Sequence, residues 1–72
     1  MDGKQIKVKL VEQGFTVGGV LEGLEKQGIT MSRNTWFKKL RGETEFTRVE
    51  IMALSKVLKL NKKDVFDIFF KD

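Results

Sequence analysis

The sequence predicts an all-α protein of five short helices in a single domain, residues 1–72. Three observations lead to this prediction. Apolar residues recur every three or four positions through most of the chain, which is the period of a helix with one buried face. Residues that often cap helix N-termini precede four of these segments: Thr16, Ser32, Thr47 and Asn61. Only one run alternates in the manner of a strand, and no second run lies near it for pairing.

The composition excludes several classes of function. The chain has no cysteine and no histidine, so it lacks disulfides, thiolate metal sites and the commonest general base. Its carboxylates form no recognisable catalytic pair, and we therefore expect no enzyme, no cofactor, no metal site and no small-molecule substrate. No apolar run approaches the roughly 18–20 residues of a membrane span. We expect a soluble protein without a membrane partner.

The first segment, Lys4 to Gln13, is compatible with two structures. From Ile6 to Leu10 apolar and polar residues alternate, which alone would indicate a strand. The two ends of that run and the adjacent Val11 also fit one face of a helix, and Gly14 follows as a C-cap. Because no partner strand lies nearby, we predict a helix whose lysines form a solvated face.

Thr16 is the predicted N-cap of the second helix. Four apolar residues recur behind it at helical spacing: Val17, Val20, Leu21 and Leu24. Three glycines lie inside the same helix: Gly18, Gly19 and Gly23. Each costs roughly 0.5–1 kcal/mol relative to alanine. Either they allow another backbone to approach closely, or the helix is weak and frays; Gly28 then ends it.

The third helix carries the net charge of the protein. Ser32 is its predicted N-cap, Arg33 to Arg41 follow, and Gly42 occupies the position just after the helix. The segment 31–42 holds four basic residues and no acid, whereas the ten basic and ten acidic residues elsewhere cancel. This segment therefore accounts for the net charge of +4.

One side of this helix is predicted to be apolar and the other polar. Trp36 and Leu40 lie one turn apart, with Phe37 beside them. Five residues gather at the amino end and outer side: Ser32, Arg33, Asn34, Thr35 and Lys38. Short polar and cationic groups there suit base edges and phosphates in a DNA major groove. A capped surface helix with a solvated basic face is the alternative.

Two more helices complete the prediction. Thr47 and Glu50 form a capping box, and the helix behind them runs to about Lys59 with an apolar surface broad enough for central burial. Asn61 caps a last helix from Lys62 to about Phe70, whose apolar residues are too crowded for all of them to be buried. The expected core is Trp36, Leu40, Ile51, Leu54 and Leu58 against Leu21 and Leu24.

Several short motifs follow one another in a familiar order. They are Phe15-Thr16, Val20-Leu21, Leu24, Ser32 to Trp36, Leu40-Arg41-Gly42, Phe46-Thr47, Ile51, Ala53-Leu54, Leu58, Leu60-Asn61 and Asp64 to Phe66. Each motif is loose, but their order and spacing resemble the Cro/repressor-like helix-turn-helix family from about Ile6 to Phe66. In length and pattern the chain is most similar to small regulators of temperate phages, modulators of repression among them.

The resemblance implies a lambda-repressor-like helix-turn-helix domain that acts in transcription regulation in the cytoplasm of a bacterial host. Two features depart from the usual pattern. About five extra residues lie between Thr16 and Ser32, around the stretch 25–29. Glu22 and Glu25 place negative charge on the helix that should lie across the DNA backbone. Both features disfavour ordinary operator docking, because phosphate contacts supply most non-specific affinity.

Two functions therefore compete. A modulator of repression, or antirepressor, would bind a phage repressor protein and change or block its operator binding in the switch between lysis and lysogeny. A Cro-like regulator would instead bind operator DNA directly through helix three. The candidate contacts for either partner are Ser32, Arg33, Asn34, Thr35, Lys38, Lys39 and Arg41, with Gly18, Gly19 and Glu22 on helix two.

Overall fold

Side-chain caps determine where the helices of the computed structural model begin, and the structure describes residues 1–71. These residues form α1 Gly3–Glu12, α2 Val17–Lys26, α3 Arg33–Leu40, α4 Arg48–Val57 and α5 Lys62–Val65, and α5 continues as a π-helix, Phe66–Phe70. The described part of the chain contains no β-strand. The prediction of an all-α protein with five helices is confirmed.

All four predicted N-caps are present. At α4 the Thr47 hydroxyl accepts a hydrogen bond from the Glu50 amide at 3.1 Å, and the Glu50 carboxylate accepts one from the Thr47 amide at 2.8 Å. Asn61 and Asp64 form the same reciprocal pair at α5, at 2.8 and 3.2 Å. Asp2, which the sequence pattern does not single out, caps α1. Each cap satisfies backbone amides that have no partner inside the helix.

The helix ends agree with the sequence in part. Glycines with positive φ follow the first three helices, as predicted: Gly14, Gly28 and Gly42. The fourth helix ends earlier than expected, at Val57, because Lys59 adopts the left-handed conformation with φ 54°. The Leu60 amide then donates to the Ser55 carbonyl at 2.9 Å and closes the turn.

The last helix differs from the continuous one that the sequence predicts. Beyond Val65 it widens into a π-helix, and the Lys71 amide donates to the Phe66 carbonyl at 2.8 Å, five residues back. This winding buries Ile68 and Phe69 while Phe66 and Phe70 stay exposed. The expectation that these apolar residues are too crowded for complete burial is confirmed.

An aromatic row lies at the centre of the core. Trp36 is fully buried, and the rings of Trp36 and Phe46 meet edge to face with centroids 5.8 Å apart. Phe46 meets Phe69 in the same way at 5.7 Å. The Trp36 indole N–H has no hydrogen-bond partner in the described residues, so its burial is driven by apolar packing alone.

The predicted core is confirmed in its main members. Trp36, Leu24, Leu40, Leu54 and Leu58 are buried, whereas Leu21 and Ile51 are only partly buried and pack against the core from its edge. The prediction omitted seven buried residues: Ile6, Leu10, Val20, Phe46, Ala53, Ile68 and Phe69. The core therefore draws on α1 and the π-helix, at opposite ends of the sequence.

Two glycines are required by close approach within the chain. A β-carbon at Gly3 would lie 2.3 Å from the backbone oxygen of Leu40, so only glycine lets α1 begin against the end of α3. A β-carbon at Gly23 would lie 2.9 Å from the Val57 side chain, where α2 packs against α4. For Gly23 the close approach foreseen from the sequence is therefore internal, and the neighbour is a side chain rather than a backbone.

Helix α4 is less buried than its composition suggests, and the expectation of central burial is wrong. Val49 and Met52 are 62% and 58% exposed, because only one stripe of the helix, centred on Ala53 and Leu54, faces the interior. The apolar face continues onto Phe70, which lines a shallow groove with Met52. No helix within residues 1–71 has the length and apolar character needed to cross a membrane.

The core assignment predicts the effect of truncating Leu54. Because this side chain is only 1% exposed, Leu54→Ala should lower the free energy of unfolding by about 2–5 kcal/mol, enough to unfold much of so small a domain. Met52→Ala, on the exposed side of the same helix, is the matched control and should change stability by less than about 0.5 kcal/mol. Thermal and urea unfolding measure both variants. A parent-like midpoint for Leu54→Ala would place Leu54 outside the core.

Candidate interaction surface

The amino end of α3 presents a cluster of exposed polar side chains. The Ser32 hydroxyl accepts a hydrogen bond from the Thr35 amide at 3.1 Å and donates one to the Thr35 hydroxyl at 3.0 Å. Arg33, Asn34 and Lys38 are exposed beside them. The structure thus brings together, on one side of α3, five of the residues singled out from the sequence.

Phe37 belongs to this exposed side and not to the apolar face expected from the sequence. Its side chain is 38% exposed, whereas its neighbour Trp36 is fully buried. Successive helical residues are turned by about 100°, so Phe37 lies on one row with Arg33 and Arg41, four residues before and after it. The helical period alone therefore indicates its position. The outward side of α3 carries an aromatic ring between basic groups.

Lys39 is the predicted contact residue that the structure places elsewhere. It is only 8% exposed, and its ammonium group donates hydrogen bonds to the Glu50 carboxylate and to the Glu45 carbonyl oxygen, both at 2.9 Å. The same nitrogen lies 5.8 Å from the centre of the Phe46 ring. Because it is three residues from Trp36, Lys39 shares the inward side of α3. Its ammonium group pairs α3 with the start of α4.

Glu50, the carboxylate that pairs with Lys39, has a lowered pKa. Burial alone would raise the pKa of Glu50, but hydrogen bonds from the Lys39 ammonium and the Thr47 amide outweigh it, and the pKa lies below its ordinary value of 4.5. A single carboxylate oxygen of Glu50 accepts from both donors. The ionised form of Glu50 is thus the form that the fold stabilises.

The remaining cations of α3 differ in their pairing. Arg41 is exposed and forms an ion pair with Glu43 in the turn after the helix. Arg33 and Lys38 form no ion pair with any carboxylate of residues 1–71. The basic helix therefore presents two unpaired cations, because its other two are occupied by acidic side chains.

The three candidate residues on α2 lie in two places. A β-carbon at Gly18 would be 3.2 Å from the Arg33 guanidinium, so the start of α2 adjoins the start of α3. Gly19 and Glu22 instead line a groove with Val57 of α4. Glu22 is exposed, and Lys26 lies 3.8 Å from its carboxylate one turn away. Only Gly18 joins the surface around α3.

We name the α3 surface by its exposed members: Arg33, Asn34, Thr35, Phe37 and Lys38. No group of three or more acidic, histidine or cysteine side chains in residues 1–71 is arranged to hold a metal ion. Comparison of the chain with protein-family models, with curated proteins and with solved structures gives no match. The interpretation of the α3 surface therefore depends on its own chemistry.

The position of Lys39 predicts a role in stability. Lys39→Met and Glu50→Gln should each lower the free energy of unfolding by about 1–3 kcal/mol, because the first leaves the Glu50 carboxylate without its ammonium donor and the second leaves the shielded ammonium group without a counter-charge. Lys38→Met, an exposed neighbour, is the control and should change it by less than about 0.5 kcal/mol. Urea unfolding at neutral pH measures all three. If Lys39→Met kept the parent's stability and lost partner binding, Lys39 would be a contact residue after all.

The lowered pKa of Glu50 makes the free energy of unfolding depend on pH. A carboxyl whose pKa is lower in the folded state stabilises the fold above its ordinary pKa of 4.5, and this contribution is lost as the pH falls through the folded value. The stability difference between the parent and Glu50→Gln should therefore be largest above about pH 5 and shrink in more acidic solution. A difference that stays constant down to pH 3 would contradict the assignment.

Proposed function

We propose that this chain is a helix-turn-helix domain, with α2 and α3 as the two helices of the motif, and that it modulates transcription by binding a partner repressor of the phage type. The α3 surface is the contact. The observation that carries the proposal is Phe37, an exposed aromatic ring flanked by the unpaired cations Arg33 and Lys38. Protein interfaces commonly have an aromatic centre within a polar rim.

The charge of the α3 surface favours a protein partner over DNA. Two unpaired cations would neutralise two phosphates. A plot of log K for DNA binding against log salt concentration would then have a slope of about −1.8. Such a surface loses only about tenfold in affinity between 50 and 200 mM salt, far less than a protein that makes six to ten phosphate contacts.

Direct operator binding through α3, as in a Cro-like regulator, is the second candidate. It is supported by the position of Arg33, Asn34 and Thr35 in the first turn of α3, where side chains of a helix in the major groove meet base edges. Gly18 adjoins Arg33 and would let the start of α2 approach a phosphate. In this case the domain would bind operator DNA without a repressor.

The proposed mechanism is mutual exclusion. The α3 surface covers the repressor's own DNA-reading helix, so that repressor bound to the modulator cannot occupy its operator. Burial of Phe37 slows dissociation, while pairing of Arg33 and Lys38 with acidic groups of the partner sets orientation and speeds association. The outcome is a shift of the lytic and lysogenic decision that needs no DNA contact by the α3 surface.

Three truncations test the α3 surface. Phe37→Ala, Arg33→Ala and Asn34→Ala should each weaken binding to the candidate repressor by about tenfold or more, because each removes an exposed contact. Helical content should stay at the parent's value in all three variants, and the unfolding midpoint should stay there in Arg33→Ala and Asn34→Ala and fall only slightly in Phe37→Ala, whose ring is 38% exposed. Phe66→Ala removes an exposed ring from the π-helix, 56% exposed against 38% for Phe37, and is the control for loss of a surface phenylalanine. Isothermal titration with the repressor measures affinity, and parent-like binding by all three variants would exclude the surface.

Competition with DNA tests the mechanism. Operator DNA should weaken binding of the modulator to the repressor, and Lys38→Glu should slow association most at low salt, where charges are least screened. Surface-immobilised repressor, with and without a saturating operator duplex, gives both rates. A ternary complex formed at undiminished affinity would refute exclusion. Salt-dependent operator binding by the modulator alone, lost in Arg33→Ala, would instead support the Cro-like candidate.

A further inference from the structure

A second basic region lies away from α3, where α4 ends and α5 begins. Four lysines surround the turn between these helices: Lys56, Lys59, Lys62 and Lys63. All four are exposed, and none forms an ion pair with a carboxylate of residues 1–71. We call these residues the lysine corner. It holds twice as many unpaired cations as the α3 surface.

The backbone keeps these lysines close together. Lys56 lies in the last turn of α4, the Lys59 amide donates to the Lys56 carbonyl at 3.4 Å, and only two residues lie between Lys59 and Lys62. The turn is fixed on both sides, by the Leu60 amide bond to Ser55 and by the capping pair at the start of α5. The four lysines are therefore attached to one short, well-fixed stretch of backbone.

Three of the four lysines occupy positions where the local structure favours another residue. Lys59 has a left-handed backbone with φ 54°, the conformation in which glycine usually ends a helix. Lys62 and Lys63 are the first two residues of α5, where the helix dipole disfavours positive charge. Asp64 is the acid nearest in sequence, but it caps α5 and pairs with Lys9 at 3.4 Å. The backbone of Lys59 and the charges of Lys62 and Lys63 thus run against local preference, which is often seen at functional positions.

We propose that the lysine corner binds the phosphate backbone of double-stranded nucleic acid. Four hydrated ammonium groups on flexible stems suit a row of phosphates, which needs charge but no fixed geometry. Between the lysines, Val57, Leu58 and Leu60 are buried or half-buried, so the corner itself presents charge and no apolar anchor; the nearest exposed ring, Phe66, lies one turn beyond Lys62. The contact is independent of nucleotide sequence, and it does not depend on the role proposed for the α3 surface.

Salt-dependent binding to a duplex of random sequence tests this proposal. Four phosphate contacts give a slope of about −3.6 in log K against log salt concentration, a loss of about 100-fold between 50 and 200 mM. Fluorescence anisotropy with a labelled duplex of about 20 base pairs measures it. Lys62→Gln combined with Lys63→Gln should reduce the magnitude of the slope by about 2. The matched control, Lys4→Gln with Lys7→Gln, removes two exposed, unpaired lysines of α1 and should leave the slope unchanged.

Thermal unfolding separates loss of contact from loss of fold. Because Lys59, Lys62 and Lys63 oppose local structure, Lys59→Gly and the Lys62→Gln, Lys63→Gln pair should raise Tm while they weaken duplex binding. Arg33→Ala with Lys38→Ala, which changes the α3 surface, should leave most of the duplex binding in place. The site is thereby distinguished from the α3 surface.

The following results would overturn the proposal. One is that the parent protein does not bind the duplex at 20 mM salt. Binding of an acidic peptide or of anionic lipid vesicles, without binding of the duplex, would count as the same result. Another is a parent-like slope after all four lysines are replaced by glutamine. A third is an equal loss of slope in the α1 control, which would reflect net charge and not a site.

Discussion

The carboxylate of Glu50 is the group on which both the fold and the surface of this protein depend. One of its oxygens closes the capping box of α4 and accepts a hydrogen bond from the ammonium group of Lys39 on α3. These two bonds set the start of α4 against the inner side of α3, directly over the Phe46 ring. Because the pair is largely shielded from water, loss of either partner leaves a charged group poorly solvated.

This internal pair also shapes the outer side of α3. With Lys39 turned inward and Arg41 paired to Glu43, a helix of strongly basic sequence presents only two unpaired cations. Phe37 lies between them, and the surface has the character of a small protein contact. The larger concentration of unpaired charge lies at the lysine corner, so the proposed protein and nucleic-acid contacts occupy different parts of one small domain.

The helices were largely predictable because their signals are local. Thr16, Ser32, Thr47 and Asn61 each act within one turn, and the glycines that follow the first three helices act through their own backbone. Tertiary features were less accessible. The sequence shows that α4 is apolar on most sides, but which side is buried depends on where α2 packs, through Gly23 against Val57.

For the candidate surface, too, the local features were predictable from the sequence and the tertiary features were not. Exposure of Arg33, Asn34, Thr35 and Lys38 was expected from their place behind the Ser32 cap. The burial of Lys39 could not be predicted from its charge. It depends on tertiary packing, which brings the Glu50 carboxylate, eleven residues away in sequence, within hydrogen-bond distance of the Lys39 ammonium group. The helical period indicates the outward position of Phe37, yet its apolar character argued for the core.

The junction of α1 with the π-helix has a consequence for synthesis on the ribosome. The Asp2 amide donates to the Ile68 carbonyl at 2.7 Å, and Ile6 and Ile68 are both fully buried in one core. A nascent chain that has emerged only as far as α4 lacks the residues that cover α1. Its apolar side stays open to solvent and to chaperones until residue 68 leaves the exit tunnel. The packing of α1 into the core is therefore completed only after residue 68 has emerged, although α1 is the first helix to appear.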